Sequence, residues 1–256
     1  MRSDKLQPQR FEFKYVVHEE VALAARDFVQ SYLEIDGYGA TLPNLSYPVH
    51  SLYLDSDDFR LYDQTINGNK NRYKLRARFY ENSPDAPIYF EIKRRINNTI
   101  RKQRGSVSRE SAKDVLQGFL PSSTEIAHDD PKQMLAFEEF LRHVNEIQAH
   151  PKVHVAYLRE AWISTRDNSV RVTMDRQVRC GPETRLHFST EMHNEVRPFG
   201  DRVILELKFT ERYPNWFSDL VRALHIQQGS AAKYVDGLSL LGKETVRTSA
   251  YQSAWL

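Results

Sequence analysis

Asn71-Arg72-Tyr73-Lys74-Leu75-Arg76-Ala77-Arg78-Phe79-Tyr80 alternates strictly between two chemistries. Successive side chains of an extended strand point to opposite faces. One face therefore carries Arg72, Lys74, Arg76 and Arg78, and the other Tyr73, Leu75, Ala77 and Phe79. The same split recurs outward along the chain. Ile88–Arg95 sets Tyr89, Glu91, Lys93 and Arg95 against Phe90 and Ile92. Val203–Phe209 sets Glu206 and Lys208 against Val203, Leu205, Leu207 and Phe209. Arg10–Val17 sets Arg10, Glu12 and Lys14 against Phe11, Phe13 and Tyr15. Arg171, Thr173 and Asp175 oppose Val170, Val172 and Met174. Lys102, Arg104 and Ser106 form a further row.

An antiparallel sheet with one wet face would produce any single one of these strands. Solubility alone, however, accepts Thr, Gln, Ser and Lys freely. Here Glu-x-Lys occurs three times on a charged face, as Glu12/Lys14, Glu91/Lys93 and Glu206/Lys208, and Arg76 and Arg78 point the same way. If these strands close with the charged face inward, they enclose a basic tunnel holding a few carboxylates, with helices packed on the apolar outside. Like charges in such a lumen repel unless an anion offsets them. Arginine suits phosphate because its planar fork binds two oxygens. Scattered carboxylates suit Mg²⁺ or Mn²⁺ riding on phosphates. A polyphosphate or a nucleoside triphosphate meets all of these demands. Local charge agrees: the whole chain carries a net charge of only +2, yet residues 70–109 hold twelve basic residues against three acids.

The remaining pattern supplies the helices. Glu19–Leu33, Ser108–Phe119, Pro131–Gln148, Pro214–His225 and Ala231–Leu241 read as helical; Pro48–Asp55, Thr99–Val107, Val153–Arg159 and Trp162–Arg166 read as strands. Short connections such as Asn97-Asn98 favour antiparallel hairpins. The expected class is α+β, an eight-stranded antiparallel barrel in a single domain over residues 1–256, with its core at about 10–241. A composition of 40% hydrophobic and 27% charged residues excludes a disordered chain. One cysteine, Cys180, excludes an internal disulfide scaffold. The first ten residues are polar, unlike a signal peptide, and no run approaches the ~18 apolar residues of a membrane span. A cytoplasmic protein is expected.

Several motifs together resemble one family: Arg10–Tyr15, Tyr53-Leu54-Asp55-Ser56 with Tyr62 downstream, Lys74–Arg78, Phe90–Arg94, Arg159, Arg171–Asp175, Leu205–Lys208 and Lys233–Gly237. In order and spacing they are similar to the VTC domain, the polyphosphate polymerase domain of vacuolar transporter chaperones, within the CYTH-like triphosphate tunnel metalloenzymes. The resemblance implies an eight-stranded tunnel that binds triphosphate with a divalent metal, Mn²⁺ or Mg²⁺. Carried over by position, it implies Lys14, Arg76, Arg78, Lys93, Arg159, Arg171 and Lys233 as phosphate ligands, with one of Lys102 or Arg104, Lys102 being favoured. It implies Glu206 as metal ligand, with Glu12 and Glu91 assisting or orienting lysines. Ser230 stands where the polymerase pattern often carries a second lysine. The chain lacks the regulatory SPX domain and membrane segment of the eukaryotic proteins, so a stand-alone, bacterial form is expected.

Other signals were weighed. Gly237-x-x-x-x-Gly242-Lys243 is followed by Glu244 and lacks a preceding strand, unlike a P-loop. His150 and His154 lack ligand-type neighbours in sequence for zinc. Cys180, beside Gly181-Pro182, is expected in a loop with no nucleophilic role. Four functions remain: transfer of the ATP γ-phosphoryl to polyphosphate, hydrolysis of triphosphates, non-catalytic polyphosphate or nucleotide binding, and nucleic-acid binding. The last ranks low because few aromatics share the charged rows.

Overall fold

The computed structural model describes residues 10–122, 124–126, 130–165 and 169–247. The polar start read from residues 1–9 lies outside them, as does Arg166 at the end of an expected strand. The chain runs β1 (Arg10–Val17), α1 (Glu19–Val29), β2 (Glu34–Ile35), β3 (Ser46–Asp55), α2 (Arg60–Ile66), β4 (Asn71–Phe79), β5 (Ile88–Ile96) and β6 (Thr99–Val107). It continues through α3 (Ala112–Leu116), α4 (Pro131–Ile147), β7 (His150–Ile163), β8 (Val170–Pro182), β9 (Val203–Thr210), α5 (Asn215–Ala223) and α6 (Lys233–Leu241).

Eight strands close on themselves in the order β7-β3-β4-β5-β6-β1-β9-β8, with β8 pairing back to β7. Every pairing is antiparallel, and the two-residue β2 adds to β7 from outside the ring. This is the expected barrel. Register sets charged rows against charged rows: Lys14 opposite Glu206, Glu12 opposite Lys208, Arg76 opposite Glu91, Glu91 opposite Arg104, and Arg159 opposite Asp175. Shared parity around a closed ring turns all of these rows inward.

The apolar rows need cover outside. Phe79, Phe90 and Ile92 pack with Phe137 and Phe140 of α4; the Phe90 ring lies 5.9 Å from Phe137 and 5.2 Å from Phe140. A Cβ on Gly105 of β6 would come within 2.6 Å of the Phe137 ring, so a glycine there lets α4 sit close. Pro131 opens α4 and Asp130 caps it, accepting from the Lys132 amide at 2.9 Å. On the opposite side α1 and α5 cover Leu205, Leu207, Val172 and Met174. α6 plugs one end, packed with Tyr53, Val153, Val178, Cys180 and Ile204.

Four expectations change. The segment expected as a helix over Ser108–Phe119 shortens to α3; Ser108 accepts from the Ser111 amide in a local turn, and Gly118, at φ +100°, ends it. The two strands expected at Val153–Arg159 and Trp162–Arg166 form one, β7, because Glu160 between them is buried on the outer face by Arg26, Arg176 and Trp162. Cys180 lies on a strand, not in a loop, because β8 runs on to Pro182, its last residue, where a missing amide is tolerated. α2 was not anticipated. Its first amide, Arg60, donates to Ser56 Oγ at 3.0 Å, and the next two, Leu61 and Tyr62, donate to the buried Asp55 at 2.9 Å each.

Candidate functional site

The lumen is a cavity of about 1830 Å³. All eight basic residues named from the sequence line it: Lys14, Arg76, Arg78, Lys93, Lys102, Arg159, Arg171 and Lys233. Both Lys102 and Arg104 line it. Parity on adjacent strands brings seven of the eight together, since each strand contributes every second residue, and Lys233 enters from the first turn of α6.

Four carboxylates, all with nearly buried side chains, organise these cations. Glu91 is approached by Arg76 at 2.6 Å, Lys102 at 2.7 Å, Arg104 at 3.3 Å and Arg78 at 4.0 Å. Glu206 is approached by Lys208 at 2.6 Å, Lys14 and Lys233 at 3.3 Å each and Arg159 at 3.8 Å. Asp175 receives both prongs of Arg159 at 2.7 Å and Lys233 at 2.6 Å. Glu12 meets Lys93 at 3.0 Å and Lys14 at 3.1 Å. Of the three Glu-x-Lys repeats, Glu12–Lys14 and Glu206–Lys208 form ion pairs on their own strand. Glu91 instead pairs across strands, while Lys93 reaches over to Glu12. Arg171 sits toward one mouth, donating to Asp36 at 2.8 Å and to the Tyr47 hydroxyl at 3.3 Å.

Burial pushes the Glu206 carboxyl up, but Lys208, Lys233, Lys14 and Arg159 outweigh it and hold it well below the usual range. Glu91 behaves alike under Lys102, Arg76, Arg78 and Arg104. The cations divide. Burial disfavours the charge on Lys233, but Asp175 and Glu206 raise it above its ordinary value. Lys74 lies in the lumen with no carboxylate at ion-pair distance among the described residues; burial, then Lys14, Lys93 and Arg72, lower it to about 7. Burial with Arg104, Arg78 and Arg76 brings Lys102 to about 7 despite Glu91. Burial lowers Lys208 to about 8.

Lys74, Lys208 and Asp175 were absent from the sequence-derived site although each shares the parity of its named neighbours. Tyr53 and Tyr157 were missed because β3 and β7 do not alternate cleanly. Tyr53 accepts from Arg76 at 2.9 Å and Tyr157 from Arg78 at 3.1 Å. The lumen is thus more aromatic than the charged rows suggested.

Among the described residues, no three His, Cys, Asp or Glu side chains gather as a metal cage. Lys14 Nζ stands between Glu12 and Glu206, where two carboxylates converge. This donor set fits a divalent ion carried mainly by phosphate oxygens, with one or two carboxylates as anchors. The buried histidines His50 and His154 meet each other at 3.0 Å outside the barrel and make no such set. No helix among the described residues is long and apolar enough to cross a membrane.

Comparison with known proteins agrees with this architecture. Residues 9–242 match the VTC domain model. Vacuolar transporter chaperone complex subunit 2 of Schizosaccharomyces pombe is 23% identical over 186 residues, covering 65% of this chain. The match spans a quarter of that relative's length. A solved Bacillus halodurans structure, described provisionally as an adenylate cyclase, superposes with a TM-score of 0.52 at 16% identity. It covers 89% of this chain and 96% of its own, and shares the fold. With the family model spanning nearly the whole barrel and its plug, the chain belongs to the VTC domain family.

Proposed function

We propose that this protein is a polyphosphate polymerase that moves the γ-phosphoryl group of ATP onto a growing polyphosphate chain. One observation carries the reading: the lumen gathers Lys14, Lys74, Arg76, Arg78, Lys93, Lys102, Arg104, Arg159, Arg171, Lys208 and Lys233, which outnumber the carboxylates of Glu12, Asp36, Glu81, Glu206 and Glu211 on its lining and of Glu91 and Asp175 buried among the cations. That surplus of positive charge suits a chain of phosphates. A terminal phosphate oxygen attacks the γ-phosphorus, the β–γ bridge breaks, and ADP leaves. Arg76, Arg78, Arg159 and Lys233 spread the charge that develops on the transferring oxygens and hold donor and acceptor in line. Bound phosphate would share these cations with Glu91, Asp175 and Glu206, each of which keeps at least one of its partners. A divalent metal, Mn²⁺ or Mg²⁺, supplies further charge neutralisation when bound, and Glu206 is the residue to hold it, assisted by Glu12. Glu91, ringed by four cations, orients them. A cytoplasmic location accompanies this reading, since the donor is ATP.

The same clamp would serve a triphosphatase, the second reading. Hydrolysis asks for a carboxylate free to orient and deprotonate water. Glu12, Glu91, Asp175 and Glu206 are each held by two or more cations, which favours transfer to phosphate. Incubated with ATP and Mn²⁺, the purified protein should form ADP and chains long enough to resolve on a gel. Stoichiometric free phosphate without chains, even after priming with short polyphosphate, would assign it as a hydrolase.

A further inference from the structure

β3 crosses the barrel from end to end, with Tyr53 against the α6 plug and Tyr47 near the opposite mouth. At that mouth Tyr47 belongs to a continuous arc of rings. Tyr38 lies 6.0 Å from Tyr47, Tyr47 lies 6.3 Å from Tyr80, and Tyr80 lies 5.8 Å from Tyr89. All four line the same cavity as the phosphate clamp. Tyr38 is 80% exposed, an unusual position for a large ring with a free face.

Two clamp cations join the arc to the charged centre. The Arg104 guanidinium lies 3.6 Å over the Tyr89 ring, donates to the Tyr80 hydroxyl at 3.4 Å and reaches Glu91 at 3.3 Å. Arg171 donates to the Tyr47 hydroxyl. A phosphate held by Arg104 or Arg171 is therefore within one nucleoside's reach of an aromatic surface. The plugged end differs: Lys74 lines the lumen there with Lys14, Lys93, Arg72 and Asp236 of α6 as its charged neighbours.

Resting on the polymerase reading above, we propose that Tyr38, Tyr47, Tyr80 and Tyr89 form a stacking platform for the base of the donor nucleotide. The donor then enters from the mouth opposite α6, with its phosphates pointing toward the plug. Stacking binds any base by its face, and the tyrosine hydroxyls at Tyr47 and Tyr80 are already engaged by arginine. The platform consequently selects nucleoside triphosphate over bare phosphate chains without choosing among bases. ATP and GTP should bind within a few-fold of each other.

Calorimetric titration without metal, so that no turnover occurs, tests this with ATP and inorganic triphosphate as probes. Tyr38→Ala, an exposed change, and Tyr47→Leu should each weaken ATP by about tenfold, the scale of one lost base–ring contact. Inorganic triphosphate should change less than twofold. Tyr47→Phe, which keeps the ring, should bind ATP like the parent. Equal losses for both probes would make the rings mere shapers of the mouth and overturn the platform, as would unchanged ATP binding in both variants. A parent protein that binds triphosphate but loses nothing with the rings leaves the polymerase reading standing. One that binds neither probe overturns both.

Discussion

Lys74 and Lys102 show what an empty cationic lumen does to single side chains. Each is brought to about 7 by burial and like-charged neighbours, although Lys102 also touches Glu91. Between pH 7 and the ordinary lysine value, the unfolded chain binds more protons at these two positions than the folded one. Their contribution to stability therefore rises with pH across that window. A bound polyanion favours the charged form, so triphosphate should take up protons at pH 8 and bind more weakly as pH rises from 7 to 9. Titrations in buffers of differing ionisation enthalpy read this directly; proton release, or affinity independent of pH, would contradict it. Glu91 poses the reverse case. Glu91→Gln removes the charge that Arg76, Lys102, Arg104 and Arg78 share and should destabilise the ligand-free protein by roughly 3 kcal/mol. Triphosphate should recover more of that loss in the variant than it adds to the parent, as measured by thermal unfolding. Arg76→Ala, Arg78→Ala and Lys93→Ala should each weaken triphosphate binding with the fold intact, since Glu91 and Glu12 keep other partners. Glu206→Gln should abolish metal-dependent turnover while triphosphate still binds.

α6 is the element through which packing reaches the site. It carries Lys233 at its first turn, and Tyr234 beside it donates to Asp55 at 2.7 Å and stacks on Tyr53 at 5.1 Å. The helix can sit this deep because Gly237 faces Cys180: a Cβ there would come within 2.4 Å of the sulfur. Burial pushes the Cys180 thiol up to about 12, so its contribution is volume and not reactivity. Gly237→Ala should cost about 1–3 kcal/mol by overpacking and weaken triphosphate binding by shifting Lys233. Adding Cys180→Ala should restore much of both, and a double variant no better than the single would remove α6 packing from the account. This contact was not legible in the sequence, where Cys180 looked like a loop residue. β1, β4, β5 and β9 were legible because the lumen is polar and the outside apolar along most of their length. β7 was not, because buried Glu160 on its outer face, paired with Arg26 and Arg176, breaks the alternation.

On the scale of the whole molecule, inward parity is the feature from which everything else follows. Alternation in the residues alone allowed either a wet sheet face or a lumen. Closure depends on which strands meet, and the β3–β7, β1–β9 and β1–β6 pairings that make the ring join residues far apart in sequence, the last through a single register pair. The basic candidates, chosen from the motifs, all line the lumen; of the mouth tyrosines, Tyr80 and Tyr89 share the parity of the charged rows, while Tyr38, in a turn, and Tyr47, on β3, belong to no such row. The central claim, that this lumen is built for a chain of phosphates, is tested most directly by thermal unfolding with inorganic triphosphate against equimolar sulfate. At ~100 times its Kd, triphosphate should stabilise the protein by roughly 2.7 kcal/mol. For a chain of this size that is a rise in Tm of about 5–10 °C. A shift no larger than that given by sulfate would contradict the claim.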